Sequence, residues 1–137
     1  MKTYLDATQE AGRDFYRRGI TGPVVMLNLL RFRETADYST APALAPENPI
    51  TGPAAYELYI QHTLPFLKAA GGKVLFKGKG GPFLIGPEDI YWDEVLLVQH
   101  ASVDKFLAFA RDEGYLQGIG HRTAALADSR LLPIKEE

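Results

Sequence analysis

Residues Trp92–Pro133, WDEVLLVQHASVDKFLAFARDEGYLQGIGHRTAALADSRLLP, read as a strand, a capped helix, an irregular turn and a closing strand. Ser102 offers a side-chain oxygen to the free N–H groups of a helix start. Asp104 complements the positive end of that helix, and Val103, Phe106, Leu107 and Ala110 share one face. Gly114 marks its end, and the glycines between Tyr115 and Arg122 argue against another long helix. The closing strand lies within Leu126 to Leu132. Both strands carry charges inside them, Asp93 and Glu94 in the first and Asp128 and Arg130 in the second.

Upstream, PVVMLNLLRFR at Pro23–Arg33 is apolar at successive positions. That pattern is expected where both faces of a sheet are covered. An amphipathic helix is expected within residues 1–20, near Asp6 to Arg18, with Leu5, Ala11, Phe15 and Tyr16 towards one face and Gly19 after it. Residues 34–52 show little periodicity and are long for a connection, so a lid, a packed loop and local disorder all remain open. A second helix is predicted from about Pro53 to Ala70, kinked or divided by Pro65 and stopped by Gly71-Gly72. Lys73 to Lys79 is a strand, which Gly80-Gly81-Pro82 interrupts with a bulge or turn.

The 137 residues suit one domain with a real core, spanning 1–137. Without cysteine, disulfides, zinc-thiolate sites and thiol nucleophiles are excluded. No stretch resembles a leader or a membrane span, so a soluble, cytoplasmic protein is expected. A net charge of −2, from 15 basic and 17 acidic residues, gives no footprint for nucleic acid or an anionic membrane.

After the first helix the order is βαββαβ, the arrangement of an α+β ferredoxin-like domain. Two helices cover one sheet face, and the doubly apolar first strand leaves large side chains on the other. Each is worth roughly 1.5–3 kcal/mol when buried, so a second copy is the economical cover, giving a dimeric α+β barrel. Because charges are disfavoured beneath helices, alternation assigns Val25, Leu27, Leu29, Val95, Leu97, Ala127, Ser129 and Leu131 to the helix side. The other set, including Asn28, Trp92, Glu94, His100, Asp128 and Arg130, is then expected to point into the barrel.

MLNLLRFR at 26–33, GGKVLFKGKGGPFLIG at 71–86, WDEVLLVQ at 92–99 and HRTAALADSRLLP at 121–133 resemble domain-of-unknown-function family 1330 of the dimeric α+β barrel superfamily. The resemblance runs from about Pro23 onward and implies that fold and a homodimer. The wider superfamily includes cofactor-independent monooxygenases, lactone isomerases, haem-dependent enzymes and proteins that only bind. It also implies that substrate can sit between sheet and helices, which would change the lining residues. It implies no reaction.

His100, at a strand end, and His121, beside Arg122, have the resting pKa of a general base. The bland alternative is an imidazole bonded to backbone or water, and His62 reads as surface or core. Arg130 with Asp128 can anchor a carboxylate or enolate, or form an internal ion pair that fixes register. Arg122 can close the same pocket or cap carbonyls. Asn28, an amide in an apolar strand, needs partners, either a substrate carbonyl or a dimer-interface group. Trp92, Tyr56, Tyr59 and Tyr115 can wall a pocket or fill a core. The histidine spacing matches no metal motif, and Lys77 to Gly81 lacks the ending and following helix of a phosphate loop.

These residues suggest a homodimer that binds a small, largely apolar carbonyl or acid compound. In an enzyme of the cofactor-independent oxygenase or isomerase type, His100 would take a proton while Asn28 and Arg130 held an oxyanion. Trp92, Glu94, His121, Arg122 and Asp128 would complete the site, with no metal or cofactor. A noncatalytic binding or assembly module and a haem-binding protein stand as alternatives.

Overall fold

The structure is a computed structural model and describes residues 2–137. Helix α1, Gln9–Arg17, starts where Thr8 accepts a hydrogen bond from the Ala11 N–H at 3.0 Å. It buries none of its residues and touches the body through the edge of Phe15 on Phe106, with ring centroids 5.9 Å apart. Then come β1, Val24–Phe32; α2, Gly52–Ala69; β2, Lys73–Pro82; and β3, Tyr91–His100. Three helices, α3 (Val103–Arg111), α4 (Glu113–Leu116) and α5 (Ile119–Ala125), lead into β4, Leu126–Ile134. The chain is α+β: the strands form one antiparallel sheet ordered β2-β3-β1-β4, the ferredoxin-like arrangement.

Several local expectations are refined. Helix α2 runs unbroken through Pro65, which sits in its last turn and a half. It ends as expected at Gly71, whose φ of +80° suits glycine, while the Gly72 N–H returns to the Leu67 carbonyl. Strand β2 continues through Gly80 and Gly81, and its irregularity falls between Val74 and Phe76 instead. Gly80 is required there because a Cβ would lie 2.5 Å from the Trp92 carbonyl oxygen. Helix α3 stops at Arg111, ahead of Gly114, because Asp112 leaves the helix and caps α4 by accepting from the Tyr115 N–H. Residues 34–52 take a packed course. Thr35 bridges Thr51, the Ala36 N–H donates to Ile50, the Asp37 N–H donates to Ala124, and Pro42–Leu44 forms a 3-10 turn.

The main correction concerns the two sheet faces. Leu30, Leu96 and Leu126 join Ala55, Tyr56, Tyr59 and Leu67 of α2 and Phe109 and Tyr115 in the core. The helices therefore cover the set that includes Val24, Met26, Asn28, Leu30, Leu96, Val98 and His100, opposite to the sequence-based assignment for β1 and β3, while Ser129 and Leu131 of β4 lie on the helix side as expected. Asn28 and His100 border a cavity there, and Glu94 lies towards the end of the sheet, so no charge is sealed beneath a helix. On the other face, Leu132, Leu27, Leu97 and Phe76 stand in one row across all four strands. Leu29 and Val95 continue that apolar surface. Leu132 and Phe76 are 54% and 56% exposed.

Register also divides the polar residues that were expected together. Asn28 pairs with Leu131, whereas Arg130 pairs with Leu29 and Asp128 with Arg31. Side chains alternate along a strand, so Asp128 and Arg130 lie on the sheet face opposite Asn28.

A Cβ on Gly52 would meet the Arg33 and Ala125 carbonyl oxygens, whereas one on Gly12 would meet nothing within 4 Å. Gly52→Ala is therefore expected to cost about 2–3 kcal/mol through overpacking. Gly12→Ala, inside α1, should be neutral or gain up to about 1 kcal/mol. Urea denaturation of the two variants checks the contrast.

Candidate functional site

Between the sheet and its helices lies a cavity of ≈ 220 Å³. Its walls are mainly apolar, from Met26, Leu96 and Val98 on the strands, Ile60, Leu64 and Leu67 on α2, and Phe106 and Phe109 on α3. The N-terminal segment crosses it through Leu5, Asp6 and Ala7. That segment is tied down at two points. The Tyr4 N–H donates to Asp128 at 2.8 Å, and the Tyr4 carbonyl accepts from the Ser129 hydroxyl at 2.6 Å.

Polar groups enter this apolar space at a few places. Arg122, from α5, donates to the Leu5 carbonyl at 2.7 Å and lies 3.4 Å from the Ser129 hydroxyl. Among the described residues, no carboxylate lies within 4 Å of its guanidinium. Asp6, at the mouth, is exposed, and water screens its charge. Tyr59 and Tyr115 share a hydrogen bond of 2.7 Å. Burial, followed by the neighbouring Tyr59, holds the Tyr115 hydroxyl above its ordinary pKa, so it stays protonated. One bond between two hydroxyls leaves one O–H to donate. The Asn28 amide donates to the Met26 carbonyl at 3.2 Å.

His100 lies at the other end. It pairs with Val24, whereas Asn28 pairs with Leu96, so the two are four residues apart along the sheet, about 13 Å. The imidazole is 2% exposed and packs against Phe106 and Phe109 at 4.9 and 5.4 Å. Burial penalises its charged form and lowers its pKa to about 4. Its Nδ1 and the Thr63 hydroxyl are buried without a partner among the described residues.

The remaining expected site residues are elsewhere. Asp128 is wholly buried, 2.6 Å from the Arg130 guanidinium and 3.6 Å from that of Arg31. Burial alone would raise its pKa, but hydrogen bonds from the Tyr4 N–H, Arg130 and the Ser129 N–H outweigh it and hold the carboxylate below its usual value. Arg130 also lies over the rings of Tyr4 and Trp92, at 4.7 and 5.0 Å. Trp92, Asp128 and Arg130 thus form an ion-pair and cation–π cluster that does not line the cavity. His121 accepts or donates at Nδ1 to the Tyr38 hydroxyl, 2.7 Å away, and fixes the 34–52 loop. Glu94 belongs to a shallower groove with Arg33 and Lys79 at the sheet end, and burial raises its pKa despite Lys77.

The cavity therefore unites His100, Asn28 and Arg122 from the expected set. Sequence reasoning missed Thr63 and the role of the tyrosine pair. A signal was present: Thr63 is the one polar member of the helical stripe Tyr56, Tyr59, Thr63 and Leu67. No three histidine, aspartate or glutamate side chains among the described residues could hold a metal ion. Among them, no helix is long and apolar enough to cross a membrane.

Two outcomes follow from these electrostatics. The folded pKa of His100 lies below its unfolded value near 6.5, so the unfolded state takes up the proton first. The associated stability is present above pH 6.5 and disappears as pH falls towards 4, a loss on the order of 3 kcal/mol. Urea denaturation of wild type against His100→Leu should show a flatter pH profile in the variant across that window. Separately, Asp128→Ala should cost about 3 kcal/mol at neutral pH, the low end for a buried pair, because Arg130 can turn to solvent. The same measurement checks it.

Comparison with known proteins places this architecture. Residues 32–134 match the domain of unknown function DUF1330. The crystal structure of the methylated RPA0582 protein has 36% identity and a TM-score of 0.87, over 100% of this chain and 97% of that one. That of the RPA0582 protein of unknown function from Rhodopseudomonas palustris has 35% identity and a TM-score of 0.85, over 99% and 98%. A third structure, described as a dimeric ferredoxin-like protein of unknown function from Thermobifida fusca, has 13% identity and a TM-score of 0.49, over 82% and 90%. No curated protein matches the sequence. With three quarters of its length matched and a full-length relative sharing its fold, the chain belongs to the DUF1330 family.

Proposed function

We propose that this protein is a homodimer that binds a small, largely apolar organic acid between its sheet and its helices. The observation that carries the reading is Arg122, a guanidinium bordering an apolar cavity with no carboxylate among the described residues within 4 Å. A ligand carboxylate would supply the missing charge through the guanidinium fork. The spare O–H of the Tyr59–Tyr115 pair would donate to the same group. The apolar walls would take the rest of a molecule about the size of a monocyclic acid, since a cavity of ≈ 220 Å³ is smaller than the roughly 300–1,000 Å³ of drug-sized ligand pockets.

The geometry favours binding over the proton-transfer scheme. A base and an oxyanion holder must reach one reacting centre, whereas His100 and Asn28 are about 13 Å apart along the sheet and Arg130 lies on its other face. An imidazole with a pKa of about 4 is also a weak base at neutral pH. Haem is the less favoured alternative, because a cavity of ≈ 220 Å³ is small for a macrocycle. The homodimer rests on the apolar row Leu132, Leu27, Leu97 and Phe76, which a facing copy would cover.

Isothermal titration with cinnamate and its neutral amide tests the ligand class. Wild type should bind the carboxylate and prefer it to the amide, and Arg122→Gln should weaken it by ten- to a hundredfold, the worth of a charged hydrogen bond of about 1.5–3 kcal/mol. Arg130→Gln should leave binding unchanged. Equal binding of acid and amide, or no binding of either, would contradict the reading.

A further inference from the structure

Two buried polar atoms on residues that line the cavity have no use in holding an acid. Nδ1 of His100 and Oγ1 of Thr63 are both buried without a partner among the described residues, on side chains from β3 and α2 whose residues are 2% and 6% exposed. Leaving such groups unpaired costs roughly 1–3 kcal/mol each. A threonine inside a helix can bond back to the carbonyl four residues earlier, yet Thr63 does not. Both residues line the same cavity as Arg122 and Asn28, and His100 lies four strand residues from the Asn28 position.

We infer that the ligand carries a hydroxyl at the end of its apolar body remote from the acid, recognised by His100 and Thr63. The inference rests on the acid-binding reading above and adds the second polar group. A hydroxyl suits these partners better than a carbonyl. It both donates and accepts, so it can satisfy either tautomer of a neutral imidazole and either orientation of the threonine hydroxyl. The pKa of about 4 keeps the ring neutral at physiological pH, so a second anionic group gains nothing there. The ligand class is thus a hydroxy acid with its two polar groups at opposite ends, of which 4-hydroxycinnamate is a simple probe.

The test is titration of wild type, His100→Leu and Thr63→Val with 4-hydroxycinnamate and cinnamate. Wild type should bind the hydroxy acid at least tenfold more tightly, since a site built around a polar group discriminates against its absence. His100→Leu should bring the two acids within threefold of each other while retaining cinnamate binding, which also reports that the variant folds. Thr63→Val should reduce the preference in the same direction. Equal affinities in wild type, the result if water satisfies both atoms as well as a hydroxyl, would overturn this inference and leave the acid-binding reading standing. A preference that survives in both variants would also overturn it. Binding of neither acid would remove both.

Discussion

The register of β4 against β1 governs this molecule. Pairing Asn28 with Leu131 and Leu29 with Arg130 assigns every side chain of the central strands to one of two surfaces, because a shift of one residue would exchange the faces. In the observed register, one surface carries Met26, Asn28, Leu96 and His100 beneath the helices. The other presents Leu27, Leu29, Val95 and Leu97 with no helix over them. The cavity and the uncovered apolar face are consequences of the same ladder.

Several features protect that register. The Asp128 carboxylate binds Arg130 and the Tyr4 N–H, and faces Arg31, linking adjacent strands to the N-terminal segment. Arg122 continues the connection by holding the Leu5 carbonyl. The segment that crosses the cavity is thus secured by the same groups that border it or fix the neighbouring strand. A ligand carboxylate at Arg122 would compete with Leu5 for the guanidinium, which ties occupancy to the position of the N-terminal segment.

Much of the architecture was legible in the sequence because it rests on local chemistry. Ser102 caps α3, Gly71 ends α2 with a positive φ, and the apolar run at Pro23 gives a strand buried by helices on one side. The faces of β1 and β3 are the reverse of the expectation, whereas Ser129 and Leu131 of β4 take the helix side as expected, because alternation tells which residues share a side, not which side the helices take. Treating charge as incompatible with the helix side put Asn28 with Arg130; only the pairing of strands distant in sequence separates them. Thr63 was passed over because a single threonine in an aromatic helical stripe reads as packing. Arg122 was recognised as a candidate, but its freedom from carboxylates depends on folded geometry. His100 lies at a strand end as expected, while its lowered pKa comes from burial in the folded chain, which the sequence does not show.

The uncovered row Leu132, Leu27, Leu97 and Phe76 gives the most exposed consequence of this account. Sedimentation velocity at micromolar concentration should find a species of two chains, converted by Leu27→Lys to folded single chains with unchanged far-ultraviolet circular dichroism. Wild-type protein sedimenting as a stable single chain, with that aliphatic row in water, would contradict it.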